Sequence, residues 1–164
     1  MQTEGLSDGS PSSFQKREGR NLKNEEKMLQ EIRKATQMGC YVIQAVLDET
    51  ADRDLAEALK EQHTEYDKLF READRLLHER GSSGKDINFM ARYGAMMSSK
   101  AKVRTSSDPT AKIAELMMEG NTRGMIKSIR NIRTMGLLEP QISNLSTRLL
   151  QTEQANIDQM KHFL

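Results

Sequence analysis

Between Leu55 and Leu76, the positions Leu55, Leu59, Gln62, Tyr66, Leu69, Ala73 and Leu76 recur at alternating four- and three-residue steps. That spacing gathers them on one side of an α-helix but would scatter them over both faces of a strand. The same rhythm returns at Leu29, Ile32, Thr36, Gly39, Ile43, Val46 and Thr50. Two long seams of this kind must be buried against other helices, so the chain is expected to be all-α. Composition agrees, since 30% charged against 36% hydrophobic residues, with 11 Met, no Trp and 3 Pro, suits amphipathic helices with broad solvated faces. A length of 164 residues is that of one domain.

The expected organisation follows from starts and stops. Residues 1–24 are rich in Ser, Gly and charge without apolar periodicity and are expected to form a flexible tail. A first helix is expected from about Asn24 to Thr50. Asp52 is the expected N-cap of a second, running to about Arg80 and stopped by Gly81-Ser82-Ser83-Gly84. Asp67 with Arg71, Lys68 with Glu72, and Arg75 with Glu79 form i,i+4 pairs on its outer face. Asp86 is expected to cap a shorter helix from Asn88 to about Lys102, which would cross the bundle with Phe89, Met90, Tyr93, Met96 and Met97 as its apolar face. Ser107-Asp108-Pro109 starts a third long helix that ends near Thr134 and Gly136. A fourth runs from about Glu139 to the C-terminus, with Ile142, Leu145, Leu149, Ile157, Met160 and Phe163 inward.

Several function classes lose support at this level. Apolar runs such as Cys40 to Leu47 are far shorter than the roughly 20 residues of a membrane span. The N-terminus reads neither as a secretory signal nor as a transit peptide, so a cytoplasmic location is the expectation. The one cysteine, Cys40, sits in an apolar stretch and reads as a small core residue. No phosphate loop or nucleophile elbow occurs. Charge is uneven. Residues 48–80 are acidic in excess, whereas the following stretch carries Lys100, Lys102, Arg104, Arg123, Lys127, Arg130 and Arg133. Two readings follow: an acidic and a basic helix facing one another, or an anion-binding surface. Nucleic acid is poorly supported, because no aromatic residues interleave the basic ones. Gly120, Gly124 and Ser128 fall at four-residue steps, and glycines inside a helix each cost about 1 kcal/mol relative to Ala. Close helix contact, with Gly39 of the first helix as partner, is the expected reason.

Two stretches, Met38-Gly39-Cys40-Tyr41-Val42-Ile43 and Lys112-Ile113-Ala114-Glu115-Leu116-Met117 running into Asn121-Thr122-Arg123-Gly124-Met125-Ile126, together with the helices 54–69 and 154–164, carry a resemblance. The chain from about Asn24 onward resembles the ferritin-like superfamily, and in particular small bacterial ferritin-like proteins of unknown function. The resemblance implies a ferritin-like four-helix bundle with an extra crossing helix over 25–164. An internal echo fits two halves of such a bundle, Glu61-Gln62-His63-Thr64-Glu65 paralleling Thr152-Glu153-Gln154-Ala155-Asn156.

Di-metal members of that superfamily set one Glu on each of two helices and a Glu-x-x-His on each of the other two. Here the corresponding pairs read Gln62-x-x-Glu65 and Glu153-x-x-Asn156, and Glu115 and Glu119 occupy only the early turns of the third long helix. A di-metal shell is therefore not expected, and no resident cofactor is. Gln62, Glu65, Glu153 and Asn156 are expected instead to form a buried, metal-free hydrogen-bonded cluster, in which removing Gln62 would leave a carboxylate short of a donor. His63, His78 and His162 lack the i+3 or i+4 His partner of helical metal sites, while Glu61, Glu65 and His63 form a conceivable mononuclear patch. The resulting reading is a non-catalytic bundle acting through self-association, a dimer being favoured, or through an unidentified protein partner. The alternatives are an iron or manganese protein or oxidase using Glu65 and Glu153, and anion or DNA binding through the basic 100–133 region.

Overall fold

In the computed structural model the described residues are 11–164, and they form five α-helices with no strand among them. These are α1 (Pro11–Leu47), α2 (Arg53–Glu79), α3 (Phe89–Arg104), α4 (Pro109–Met135) and α5 (Pro140–Met160), followed by a 3-10 turn, Lys161–Phe163. Helices α1 and α2 form one antiparallel pair and α4 and α5 another. The pairs meet through α1 against α4 and α2 against α5, and α3 lies along α1 on its way to α4. The interior between them is built from Leu29, Ile32, Ile43, Leu59, Leu69, Ile113 and Leu145, none more than 2% exposed.

The capping chemistry mostly works as the local sequence predicts. Asp52 Oδ1 accepts from the Leu55 amide at 2.8 Å, and Asp108 Oδ1 from the Ala111 amide at 3.0 Å, with Pro109 following. At the end of α2, Gly81 takes φ +72°, the Gly81 amide donates to the His78 carbonyl and the Ser82 amide to the Leu77 carbonyl. This is the Schellman closure, which needs the left-handed conformation that glycine adopts without penalty. All seven α2 seam positions are buried.

Four expectations change. Helix α1 begins at Pro11, well before the start expected near Asn24, so residues 11–24 of the expected tail are helical; its residues 1–10 lie outside the described residues. Residues 12–23 face solvent throughout, but Gln15, Lys16, Arg17, Glu18, Arg20, Leu22 and Lys23 among them are good helix formers, and extending an existing helix is far cheaper than nucleating one. Packing starts at Asn24, whose Nδ2 donates to the Met135 carbonyl at 2.9 Å. Deleting residues 1–23 is accordingly expected to leave the thermal midpoint within a few degrees, and a large drop would show that the segment docks.

Helix α3 is capped by Asn88, which accepts from the Met90 amide at 2.8 Å, and not by Asp86. The buried Arg33 guanidinium claims Asp86 at 3.0 Å, along with Asp74 at 2.7 Å and the Lys85 carbonyl at 3.0 Å, because a buried charge needs partners on every side. Most of the apolar face assigned to α3 also points outward, Met96 being half-buried and the Phe89 side chain lying outside the described residues. Met90, Tyr93 and Met97 are exposed, while Val103 is buried and Arg92 stacks on Tyr41 at 4.8 Å. Finally, Lys68 pairs with Glu65 at 2.6 Å instead of with Glu72, which Arg148 engages from α5 at 2.6 Å. The Asp67–Arg71 and Arg75–Glu79 pairs form as expected.

Candidate functional site

The polar residues of the interior converge where α2, α4 and α5 meet. From α2, the Tyr66 hydroxyl donates to Asn121 Oδ1 at 2.6 Å. From α5, Asn156 Nδ2 donates to the same oxygen at 3.2 Å, and Asn121 Nδ2 is satisfied by the Met117 carbonyl one turn back at 2.7 Å. Two turns along α4, the Ser128 hydroxyl donates to Glu153 Oε2 at 3.2 Å. Tyr66, Asn121, Ser128, Glu153 and Asn156 are all buried.

Glu153 is the chemically unusual member. Burial pushes its carboxyl from an ordinary 4.5 up to about 7, opposed only by the Ser128 hydrogen bond. Tyr66 is displaced upward as well, first by burial and then by the neighbouring Glu153 carboxylate, while Asn156 lowers it. A small cavity of about 20 Å³, lined by Met28, Ile32, Gly124, Lys127, Ser128 and Ser146, adjoins this carboxyl through Gly124 and Ser128. It is large enough for about one water molecule.

Of the four residues expected to cluster, three are inside and one is not. Gln62, Glu153 and Asn156 are buried, but Glu65 is exposed and bound to Lys68. The reason is helical phase. After Gln62 the α2 seam steps by four to Tyr66, leaving Glu65 on the outer side, whereas after Glu153 the α5 seam steps by three to Asn156. Gln62 also serves neither carboxylate. Its Nε2 donates to Gln159 Oε1 at 2.8 Å and to the Asn156 carbonyl at 3.5 Å, and its Oε1 is buried with no partner among the described residues. Replacing Gln62 by Met removes that orphaned oxygen together with about one useful hydrogen bond, so its cost should stay below about 1 kcal/mol in denaturant unfolding. Tyr66, Asn121 and Ser128 were not among the sequence candidates. Their placement on apolar seams at four- and three-residue steps from Gln62 and Gly124 was the available signal.

The glycines explain themselves differently from the close helix contact expected. A Cβ on Gly39 would strike the Tyr66 ring at 2.6 Å, and one on Gly124 would strike the Glu153 carboxyl, whose Cδ lies 2.8 Å away. Each makes room for a side chain and not for the other glycine. Gly120 is exposed, with nothing near its α-carbon to crowd.

The basic residues are largely matched within the chain. Lys100 pairs with Asp48 at 2.9 Å, Arg104 with Glu49 at 2.8 Å, Arg123 with Glu119 at 3.7 Å, and Lys127 with Glu31. Arg104 holds the Glu49 carboxyl below its usual value. Of these acidic partners only Asp48 and Glu49, just beyond the end of α1, belong to the acidic 48–80 segment, so the basic residues are met from α1 and from α4 itself and not by the acidic helix α2, while Lys102, Arg130 and Arg133 stay exposed. On α4, Ile126, Ile129 and Ile132 are exposed beside Arg123, Arg130 and Arg133.

Cys40 is half-buried, and burial, then the nearby Asp67, pushes its thiol up to about 11, which suits an unreactive side chain. His63 meets Gln44 at 3.3 Å, His78 the Asp74 carbonyl at 2.9 Å, and His162 the Gln159 carbonyl at 3.2 Å. Among the described residues, no three His, Cys, Asp or Glu side chains converge in a metal-binding arrangement, so Glu61, His63 and Glu65 do not form one patch. Among the described residues, no helix is long and apolar enough to cross a membrane.

No family model and no curated protein matches the chain. Solved structures do. YcfI of Rhodopseudomonas palustris, provisionally described as a structural protein, superposes with a TM-score of 0.66 at 18% identity, over 84% of this chain and 92% of its own. A DUF305 fragment of Deinococcus radiodurans gives a TM-score of 0.66 at 14% identity, over 85% of this chain and 93% of its own. At such identities the likeness is one of fold: an all-helical arrangement shared along nearly the whole chain.

Proposed function

We propose that the chain is a non-catalytic, ferritin-like four-helix bundle with α3 as an added crossing helix, acting through self-association. The observation that carries this reading is the exposure of Met90 (72%), Tyr93 (52%) and Met97 (46%) on one side of α3. A monomer gains nothing from presenting such side chains together, whereas an interface does. The description of YcfI as structural accords with a protein that works by assembling.

The interior polar cluster is, in this reading, a degenerate di-metal site. Two metals need about six carboxylate and imidazole donors. The cluster supplies one carboxylate, Glu153, among two amides, a phenol and a hydroxyl. That donor set does not fit the group the superfamily resemblance implies, and its members hydrogen-bond one another instead. The test is native mass measurement with elemental analysis on one purified sample, followed by thermal unfolding with ferrous iron or manganese. A dimer with no bound metal and an unmoved midpoint is expected. A metal-dependent rise that vanishes in Glu153→Ala would establish the metalloprotein instead, because a ligand that binds the folded state must stabilise it.

A further inference from the structure

We infer that the outer face of α3 is the contact between two copies of this chain, paired antiparallel about a two-fold axis that passes midway between Ala95 and Met96. The inference rests on the association reading above and names its surface and register.

The outer face of α3 is uncharged over most of its length. Met90, Ala91, Tyr93, Gly94, Met97, Ser98 and Ala101 are exposed, while the charged residues among them turn elsewhere. Arg92 lies over the Tyr41 ring with Nη1 at 3.1 Å from its hydroxyl, and Lys100 reaches Asp48 at 2.9 Å. In a chain with 30% charged residues, such a stretch is exceptional. It is also held to the rest of the fold by little buried apolar surface, chiefly Val103.

The order of large and small side chains is self-complementary. At 3.6 residues per turn, Met90, Gly94, Met97 and Ala101 share one strip of the α3 surface. A two-fold axis midway between Ala95 and Met96 sets Met90 of one copy against the partner's Ala101, and Met97 against the partner's Gly94. Each long, pliable thioether side chain then meets a position with a methyl group or none, in the isologous pattern a dimer requires. No like charges meet across the seam. The exposed isoleucine strip of α4 lacks this property, since an antiparallel two-fold there would gather Arg123, Arg130 and Arg133 from both copies around one contact.

A charge swap in the full-length chain tests both surface and register by sedimentation equilibrium. Wild-type protein should be dimeric. Gly94→Glu and Met97→Lys should each weaken dimerisation by about a hundredfold or more, because each buries two unpaired like charges at the seam. Far-UV circular dichroism should remain wild-type, both positions being exposed. An equimolar mixture of the two variants should restore the dimer, since one of its cross-contacts becomes an ion pair and the other stays native. A second swap, Met90→Glu with Ala101→Lys, reads the same register if either variant of the first fails to fold. Variants that dimerise as well as wild type would place the interface elsewhere and leave the association reading standing. A mixture that stays monomeric would overturn the antiparallel register. Wild-type protein that is monomeric at every concentration would overturn both.

Discussion

Gly124→Leu is expected to destabilise the protein by about 3 kcal/mol or more, although leucine is the better helix former by about 1 kcal/mol. The first carbon of any side chain at this position lands on the Glu153 carboxyl, whose Cδ lies 2.8 Å from it. The carboxyl has nowhere equivalent to go. Moving it outward breaks its hydrogen bond from Ser128 and drives it toward a cavity sized for about one water molecule. For a domain of this size each kcal/mol is worth roughly 2–4 °C, so the thermal midpoint should fall by about 6–12 °C. Gly124→Ala should also lose stability, and Gly120→Ala, at an exposed helical position with open space around it, should gain. A Gly124→Leu variant more stable than wild type would mean that the α4 face bearing Gly124 is turned away from α5.

The second large effect is a pH dependence. Glu153 is held at about 7 in the folded protein against an ordinary 4.5. The folded state therefore keeps this proton between those two values while the unfolded chain has lost it, so stability falls as pH rises through that window and levels off above it. The penalty above pH 7 is about 3 kcal/mol from a shift of this size. Glu153→Gln keeps the shape and the Ser128 partner but cannot ionise. It should match wild type near pH 4.5 and exceed it by about 2–3 kcal/mol at pH 8. Carboxylates held below their usual values, such as Asp86 beside Arg33 and Asp158 beside Lys161, lose stability in the opposite direction, as pH falls, and are unchanged by the substitution. The difference between wild type and variant across pH, measured by denaturant unfolding, isolates Glu153. A difference that does not vary with pH would mean the carboxyl is ionised and solvated in the folded state.

What the sequence determined by itself was local and periodic. The seams of α1 and α2, the caps at Asp52 and Asp108, the stop at Gly81 and the prolines opening α4 and α5 all follow from interactions within about a turn of helix, which the order of residues encodes directly. The same rules placed Gln62 and Glu153 on seams and hence inside, whereas Asn156 came from the superfamily resemblance and not from the periodicity, which points to Ile157. Tertiary structure decided the rest, because it depends on what stands opposite. Glu65 and Asn156 occupy matching places in the internal echo, yet only Asn156 is buried, since the two seams step differently after the shared position. Gly124 and Gly39 are both small residues on seams, and only the packed partners reveal that one accommodates Glu153 and the other Tyr66. Asp86 has the chemistry of a cap, but the buried Arg33 binds it first. Met90 and Met97 have the chemistry of a core, but α3 meets α1 along its other side and leaves them outside. In each case a residue's intrinsic preference admits two environments of similar energy, and long-range contacts between segments far apart in the chain select one.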